Sequence, residues 1–254
     1  MNGRVEVIPV GGLPEIGPRD PLGRLIAQAV TEAGERLADT DILVVSQKVV
    51  SKAEGRVVDL GGVAPSHRAT DLARRLGKDP RVVELVLRES VEIVRAERDV
   101  LIVEARAGWV SANAGIDASN VPGSDRVTLL PEDPDASARR LRAELRTASG
   151  ATPGIVVADS FGRPWRLGQA DVAIGCAGVA PLDDWRGRQD RGGGELAATV
   201  IAVADELAAA ADLVRTKDQG VPAAIVRGVG RFVTADDGPG AAALRRPRTD
   251  DLFR

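Results

Sequence analysis

Two short apolar runs constrain the fold of this chain most strongly. Residues 42–45 (Ile-Leu-Val-Val) and 154–158 (Gly-Ile-Val-Val-Ala) are apolar at every position rather than at every second one. A strand with this pattern has to be covered on both faces, as the inner strands of a sheet between helices are. Apolar residues with helical spacing occur at residues 22–38 and 79–95. The sequence therefore predicts an α/β or α+β fold, in which a mixed sheet has flanking helices.

The length and the distribution of turn residues predict the domain organisation. The 254 residues suffice for one large domain or two small ones. We expect residues 1–230 to form the main domain, with room for two subdomains. Residues 231–254 have a linker-like composition, with Asp-Asp-Gly-Pro-Gly at 236–240 and Arg-Arg-Pro-Arg at 245–248, which predicts a C-terminal tail.

Three segments of the second half carry more specific structural predictions. A helix is predicted over residues 136–147, with Asp135 as a cap at its start. Residues 183–194 are polar and rich in glycine, which favours a loop. Residues 195–213 are rich in alanine and leucine, and we expect one long packing helix there.

Composition excludes several classes of function. The net charge of −3 and the absence of tyrosine argue against a nucleic-acid-binding protein. No apolar run approaches the roughly twenty residues of a membrane span, and the first residues do not resemble a signal peptide, so we expect a cytoplasmic protein. A single cysteine, Cys176, and a single histidine, His67, exclude disulfides and histidine- or cysteine-rich metal sites. Chemistry has to depend on carboxylates, hydroxyls, lysine, arginine and bound metals.

Two polar segments supply candidate metal ligands. Residues 114–120 (Ala-Gly-Ile-Asp-Ala-Ser-Asn) form a compact polar loop in which Asp117 can meet a hard cation and Asn120 can hydrogen-bond a ligand. Asp159 and Ser160 follow the apolar run at 154–158, where open α/β sheets often bind ligands. A solvated turn at Asp117 is the alternative interpretation.

Two other segments supply candidate nucleotide contacts. The turn-rich residues 11–16 follow a predicted strand, and their backbone amides can face a ligand, although this segment taken alone favours an ordinary strand-to-helix connection. After the run at 42–45, Gln47 can hydrogen-bond a nucleotide, and Lys48 and Lys52 can neutralise phosphate. The alternative there is a solvated edge strand. The sequence contains neither a P-loop nor a dinucleotide-binding glycine motif, so nucleotide binding would need another geometry.

These motifs together resemble the coenzyme F420-0:L-glutamate ligases, the γ-glutamyl ligases of deazaflavin coenzyme synthesis. The resemblance extends over nearly the whole chain, and the motifs occur in the same order. Its clearest parts are Gly-Leu-Pro-Glu-Ile at 12–16, Lys-Val-Val-Ser-Lys-Ala-Glu-Gly-Arg at 48–56, the loop at 114–120, Leu-Pro-Glu-Asp-Pro-Asp-Ala-Ser-Ala at 130–138 and Ala-Asp-Ser-Phe-Gly-Arg-Pro-Trp-Arg at 158–166. The last residues also resemble the join in fused bacterial versions, in which a nitroreductase-like domain follows.

The resemblance implies a GTP-dependent ligase with the fold of this family. Such an enzyme adds L-glutamate in γ-linkage to coenzyme F420-0 or its dehydro form through an acyl phosphate, and releases GDP and phosphate. It implies a homodimer with two divalent metals, magnesium or manganese, and a potassium ion as a further cofactor. The residues implied to contact GTP are Leu13, Pro14, Glu15, Ile16, Gln47, Lys52 and Asn120. Asp117, Asp159 and Ser160 are implied to hold the metals, with Asp117, Asp159 and Lys52 taking part in catalysis.

The chain also departs from the family pattern. Ser160 stands where threonine is usual, which keeps the hydroxyl, and Thr216-Lys217 replaces a pair that supplies a metal ligand in some members. Two rival functions use the same residues. A metal-dependent phosphate-ester hydrolase would release phosphate without an acceptor, and a non-catalytic GTP-binding subunit would bind without turnover.

Overall fold

The computed structural model of the chain describes residues 3–119, 123, 125–215 and 218–252. Its strands are Glu6–Val10 (β1), Ile42–Ser46 (β2), Val57–Asp59 (β3), Ser90–Glu97 (β4), Val100–Ala105 (β5), Val110–Ala112 (β6), Arg126–Thr128 (β7), Gly154–Arg163 (β8), Arg166–Ala177 (β9), Asp183–Asp184 (β10), Val200–Ile201 (β11) and Ala223–Arg227 (β12). Its α-helices are Leu22–Glu32 (α1), Gln47–Ala53 (α2), His67–Leu76 (α3), Pro80–Glu89 (α4), Pro134–Ser149 (α5) and Val203–Asp212 (α6).

A mixed five-stranded sheet forms the body of the molecule, in the order β1-β12-β2-β8-β9. Strands β2 and β8 run parallel, and the other neighbours pair antiparallel. This confirms the mixed sheet with flanking helices. The apolar run at 42–45 is central because alternate residues enter different cores. Leu43 and Val45 pack with α1 and α5, whereas Ile42 and Val44 pack with α6 on the opposite face.

Residues 57–130 form a unit inserted between α2 and α5. This insertion contains the three-stranded sheet β4-β5-β6, the pair β3-β7 and helices α3 and α4. Its apolar side chains make a core of their own, which includes Leu72, Val83 and Leu101. Its strand β5 alternates between buried and exposed positions, as expected for a sheet with one covered face.

Two long helix predictions are wrong in part. The helix predicted over residues 79–95 ends at Glu89, and residues 90–97 form β4, because pairing with β5 overrides the helical spacing. The helix predicted over residues 195–213 begins only at Val203. Residues 195–201 instead pair back on the predicted loop at 183–194, through β10–β11 and a bridge between Gln189 and Glu195.

The structure differs from the sequence prediction in the residue that caps α5, and it also shows what the C-terminal segment contacts. The cap of α5 is Asp133, whose carboxylate accepts the Ala136 backbone N–H. Asp135 instead accepts the backbone N–H groups of Cys176, at 2.8 Å, and Ala241, at 2.7 Å. The segment of linker-like composition therefore packs against the body. The boundary at residue 230 stays a prediction.

Within the described ranges, none of the helices combines the length and the apolar character that crossing a bilayer requires.

Candidate functional site

Helix α2 brings the predicted nucleotide contacts to the end of β2. The predicted alternative of an edge strand is wrong, because residues 47–53 are helical and begin directly after the buried β2. Gln47 is 1% exposed, and its Oε1 accepts the Ser51 hydroxyl at 2.8 Å. Its Nε2 is buried, with no hydrogen-bond partner in the part of the chain that the structure describes. A buried amide donor without a partner is costly, and an acceptor from a ligand at this end of α2 would satisfy it.

Lys52 lies on the same helix, and it faces the loop before α1. Its Nζ contacts Glu15 Oε1 at 2.6 Å, and its side chain is almost fully buried. In this loop Ile16 is buried and Leu13 packs against the same core, whereas Pro14 and Glu15 are exposed. The structure therefore brings the loop at 13–16 together with Lys52, as the resemblance implies.

Asp117 is delivered by the insertion through a strained turn. Asn113, Ala114 and Gly115 all have left-handed backbone angles, with φ of 53°, 54° and 70°. The backbone of Asp117 is then fixed by two hydrogen bonds to Thr128, of 3.1 and 2.8 Å. Non-glycine residues in this region cost energy, and they occur where a surrounding structure holds them, often at functional sites.

The Asp117 carboxylate does more than close a turn. Its Oδ1 accepts the Ser119 backbone N–H at 2.7 Å, as in an Asx turn, but Oδ2 also contacts Lys48 Nζ at 2.6 Å. Burial alone would raise the pKa of Asp117, but hydrogen bonds from Lys48 and Ser119 outweigh it and hold the pKa below its ordinary value. The ammonium group of Lys48 therefore links the body to Asp117 of the insertion. The predicted contact Asn120 lies outside the described residues, as do Thr216 and Lys217.

Asp159 and Ser160 lie within β8, because the strand continues beyond the predicted end at residue 158 to Arg163. A register shift at residues 157–158 disturbs the pairing just before them. The pKa of Asp159 is raised to about 7, chiefly by burial and also by the charges of Asp171 and Asp117, while the Ser160 backbone N–H and Lys48 act in the opposite direction. Asp159 and Asp117 therefore share one electrostatic environment.

This environment fits a hard divalent cation. The donors are oxygen atoms from two carboxylates and a hydroxyl, which magnesium and manganese prefer. Asp159 has a raised pKa and no ion pair among the described residues, and a nearby cation would stabilise its charged form. The described residues contain no close group of three or more acidic, histidine or cysteine side chains. The protein would therefore supply few ligands, and phosphate oxygens and water would supply the rest, as is usual for magnesium.

Sequence reasoning missed two members of the site. Ser160 pairs across the β8–β9 hairpin with Asp171, and its hydroxyl donates to Asp171 Oδ1 at 2.6 Å. The other carboxylate oxygen of Asp171 accepts from Arg215, which follows α6. The only sequence signal was one acidic residue in a mostly apolar strand. Arg163 and Arg166, in the motif at 158–166, lie at the exposed end of the hairpin.

Comparisons with known proteins agree with these motifs. Residues 12–228 match the family described as F420-0:Gamma-glutamyl ligase. The chain is 46% identical over 251 residues to the coenzyme F420:L-glutamate ligase of Methanothermobacter thermautotrophicus, over 98% of this chain and 99% of that protein. It is 45% identical to the protein of the same name from Methanopyrus kandleri, over 99% of this chain and 97% of the relative. The Methanocaldococcus jannaschii protein of that name is 39% identical, over 94% and 92%.

Proposed function

The chain belongs to the F420-0:Gamma-glutamyl ligase family, and from this premise we propose that it joins L-glutamate in γ-linkage to coenzyme F420-0 or its dehydro form, using GTP. The observation that carries the proposal is the meeting of two sets of residues. Gln47 and Lys52 offer donors on α2 at the end of β2, and Lys48 of the same helix contacts Asp117 and acts electrostatically on Asp159. The reaction takes place in the cytoplasm, where GTP and glutamate are available.

GTP binds against α2 and the loop before α1 in this proposal. The buried Nε2 of Gln47, which has no partner among the described residues, donates to an acceptor on the nucleotide. Lys52 exchanges Glu15 for phosphate oxygens, so that its charge compensates the nucleotide. The backbone of residues 13–16 and the side chain of Asn120 complete the contacts.

Asp117, Asp159 and Ser160 would hold two magnesium or manganese ions, with a potassium ion as a further cofactor. Bound there, divalent ions neutralise the triphosphate and align it for in-line transfer. Lys48 has to share Asp117 with such an ion, since its Nζ is 2.6 Å from the same carboxylate. The carboxylate pair thus links nucleotide binding in the body to the position of the insertion.

The chemistry needs an activated carboxyl group, because a carboxylate is a poor electrophile towards an amine. A carboxylate oxygen of the acceptor forms a bond to the γ-phosphorus of GTP, the bond to the bridging oxygen breaks, and GDP leaves with the electron pair. The glutamate amine then attacks the acyl carbon, phosphate leaves, and the nitrogen loses a proton. Lys52 contributes by orienting the phosphates and compensating their charge.

An omission experiment tests this reaction. The protein is incubated with GTP, manganese, the deazaflavin acceptor and L-glutamate, and each component is left out in turn. Mass spectrometry should show added glutamyl residues only in the complete mixture, together with GDP and phosphate. GTP hydrolysis that needs no acceptor would favour a phosphate-ester hydrolase. Binding without turnover would favour a GTP-binding subunit.

We also propose that the protein is a homodimer. Sedimentation equilibrium over a range of protein concentrations tests this proposal, and a monomer at all of them would contradict it.

A further inference from the structure

Asp171 and Arg215 form a buried pair beside the candidate metal ligands. Both side chains are more than nine-tenths buried. Arg215 is fixed from two directions, because its backbone N–H bonds to the last turn of α6 and its side chain donates to Asp171. Burying two charges is expensive, and a pair of this kind is weak evidence for stability by itself. Its position therefore calls for another explanation.

Among the candidate ligands, the pair hydrogen-bonds Ser160, and its charges also act on Asp159. The two carboxylate oxygens of Asp171 have different partners, namely the Ser160 hydroxyl on Oδ1 and Arg215 on Oδ2. Because Ser160 gives its proton to Asp171, the lone pairs of its Oγ point away from that bond. A hydroxyl held in this way offers a cation its oxygen rather than its hydrogen.

We propose that Asp171 and Arg215 are positioning residues that aim the Ser160 oxygen at the divalent cation. Arg215 holds one oxygen of the Asp171 carboxylate through Nη2, and the other oxygen of Asp171 fixes the direction of the Ser160 hydroxyl. Outer partners of this kind orient metal ligands in many proteins, and their loss typically weakens metal binding by about 10- to 100-fold. The inference rests on the proposed function, since it assumes a cation at Ser160.

A simple charge effect makes the opposite prediction for one variant. Arg215 is a cation close to the site, so a purely electrostatic account expects Arg215→Met to bind a divalent cation more tightly. The positioning account expects weaker binding, because Asp171 then loses the contact that holds its carboxylate. The sign of the change in affinity separates the two accounts.

Manganese affinity, measured by electron paramagnetic resonance of free Mn²⁺, provides the test without an activity assay. We expect Asp171→Asn to weaken binding by about 10-fold and Arg215→Met to weaken it in the same direction. The effect of Asp171→Asn should become clearly smaller in a Ser160→Ala background, because the part that acts through that hydroxyl is then lost and only the charge effect on Asp159 is left. The matched control is Asp205→Asn, whose carboxylate accepts the Ala173 backbone N–H on the same strand β9 and does not contact Ser160. Circular dichroism of each variant verifies the fold.

Three results would overturn the inference. The first is tighter or unchanged binding in Arg215→Met, and the second is wild-type affinity in Asp171→Asn. The third is an Asp171→Asn effect of equal size in the Ser160→Ala background, which would make Asp171 a direct ligand. If one of these results occurs but Asp159→Asn still abolishes manganese binding, only this inference fails and the proposed function stands. Absence of manganese binding by the wild type, both alone and with GDP, would overturn both.

Discussion

The body and the insertion bury their strands differently and supply different parts of the site. Strands β2 and β8 of the body are covered by helices on both faces, whereas β5 of the insertion has one covered face. The body contributes Gln47, Lys52 and Asp159 from elements that are packed on all sides. The insertion contributes Asp117, which reaches the body through Lys48.

This difference teaches how a site can be both rigid and adjustable. The residues on the body are held by the main core, so their relative positions are set when the sheet forms. The position of Asp117 depends on how the insertion sits against α2. The links between the two regions include the contact from Lys48, the ion pair of Arg56 with Glu89 at 2.6 Å and the hydrogen bond from Trp109 Nε1 to the Ile174 carbonyl at 3.0 Å. Metal binding at Asp117 would therefore strengthen the contact between the two regions.

Core truncations should show the largest effects and reveal whether the two regions unfold together. Leu145 in α5 and Leu101 in β5 are both fully buried, in separate cores. Each change to alanine should cost about 2–5 kcal/mol of unfolding free energy. We expect Leu101→Ala to accelerate amide hydrogen exchange in residues 57–130 while β2 and β8 keep their protection. Equal loss of protection in both regions would show one cooperative unit.

The sequence predicted those parts of the fold in which the order of apolar and polar residues along one segment determines which side chains are buried. The run at 42–45 predicted a strand covered on both faces, and the structure confirms it with cores on either side of β2. The spacing at 195–202 misled because alanine and leucine favour a helix, whereas pairing with residues 183–189 decides the structure. Cross-strand pairing is a long-range property that local propensity does not contain.

The site was predictable as a set of residue types but not as a geometry. Asp117 and Asp159 stood out because carboxylates beside small polar residues suit a hard cation. Their contacts could not be predicted, since Lys48 and Asp117 are distant in sequence and meet only when the insertion docks. The pair of Ser160 and Asp171 depends on the register of a hairpin with an internal shift, so Asp171 escaped notice.

Charge-removing changes at the two aspartates should show the next largest effect. Asp117→Asn and Asp159→Asn should each slow turnover by about 10²-fold or more, as losses of single electrostatic groups do at other active sites. The measurement is the steady-state rate of glutamyl addition at saturating GTP. Asp205→Asn serves as a control that leaves the site intact. Full activity in either variant would place the site elsewhere.

Lys52→Ala should have a smaller effect, confined to the body. A hydrogen bond to a charged group contributes roughly 1.5–3 kcal/mol, so GTP should bind about 10-fold more weakly or worse. Isothermal titration of GTP into the protein measures this. Lys78→Ala, between α3 and α4 of the insertion, is the matched control and should bind GTP as the wild type does. Unchanged affinity in Lys52→Ala would remove α2 from the nucleotide site.

The smallest expected effect is on melting temperature in the metal-free protein, where the two aspartates should differ in their dependence on pH. Burial raises the pKa of Asp159 from 3.8 to about 7, so the folded protein holds this proton where the unfolded chain has lost it. The contribution of Asp159 to the free energy of unfolding is therefore most favourable below about pH 4. It falls as the pH rises to about 7 and is constant above that pH. Asp159→Asn, which cannot ionise, should match the wild type in melting temperature near pH 4 and exceed it by a few degrees at pH 8.

Asp117 should behave in the opposite way. Contacts with Lys48 and Ser119 outweigh burial and hold the pKa of Asp117 below its ordinary value, so its stabilising contribution is present above about pH 4 and is lost only in more acidic solution. Asp117→Asn should therefore melt below the wild type by a constant interval from pH 5 to pH 8. Manganese should raise the wild-type melting temperature more at pH 8 than at pH 5, because protons compete for Asp159. Parallel pH profiles for the two variants would show that both carboxylates already have compensating cations, and that the difference between body and insertion does not extend to their charge.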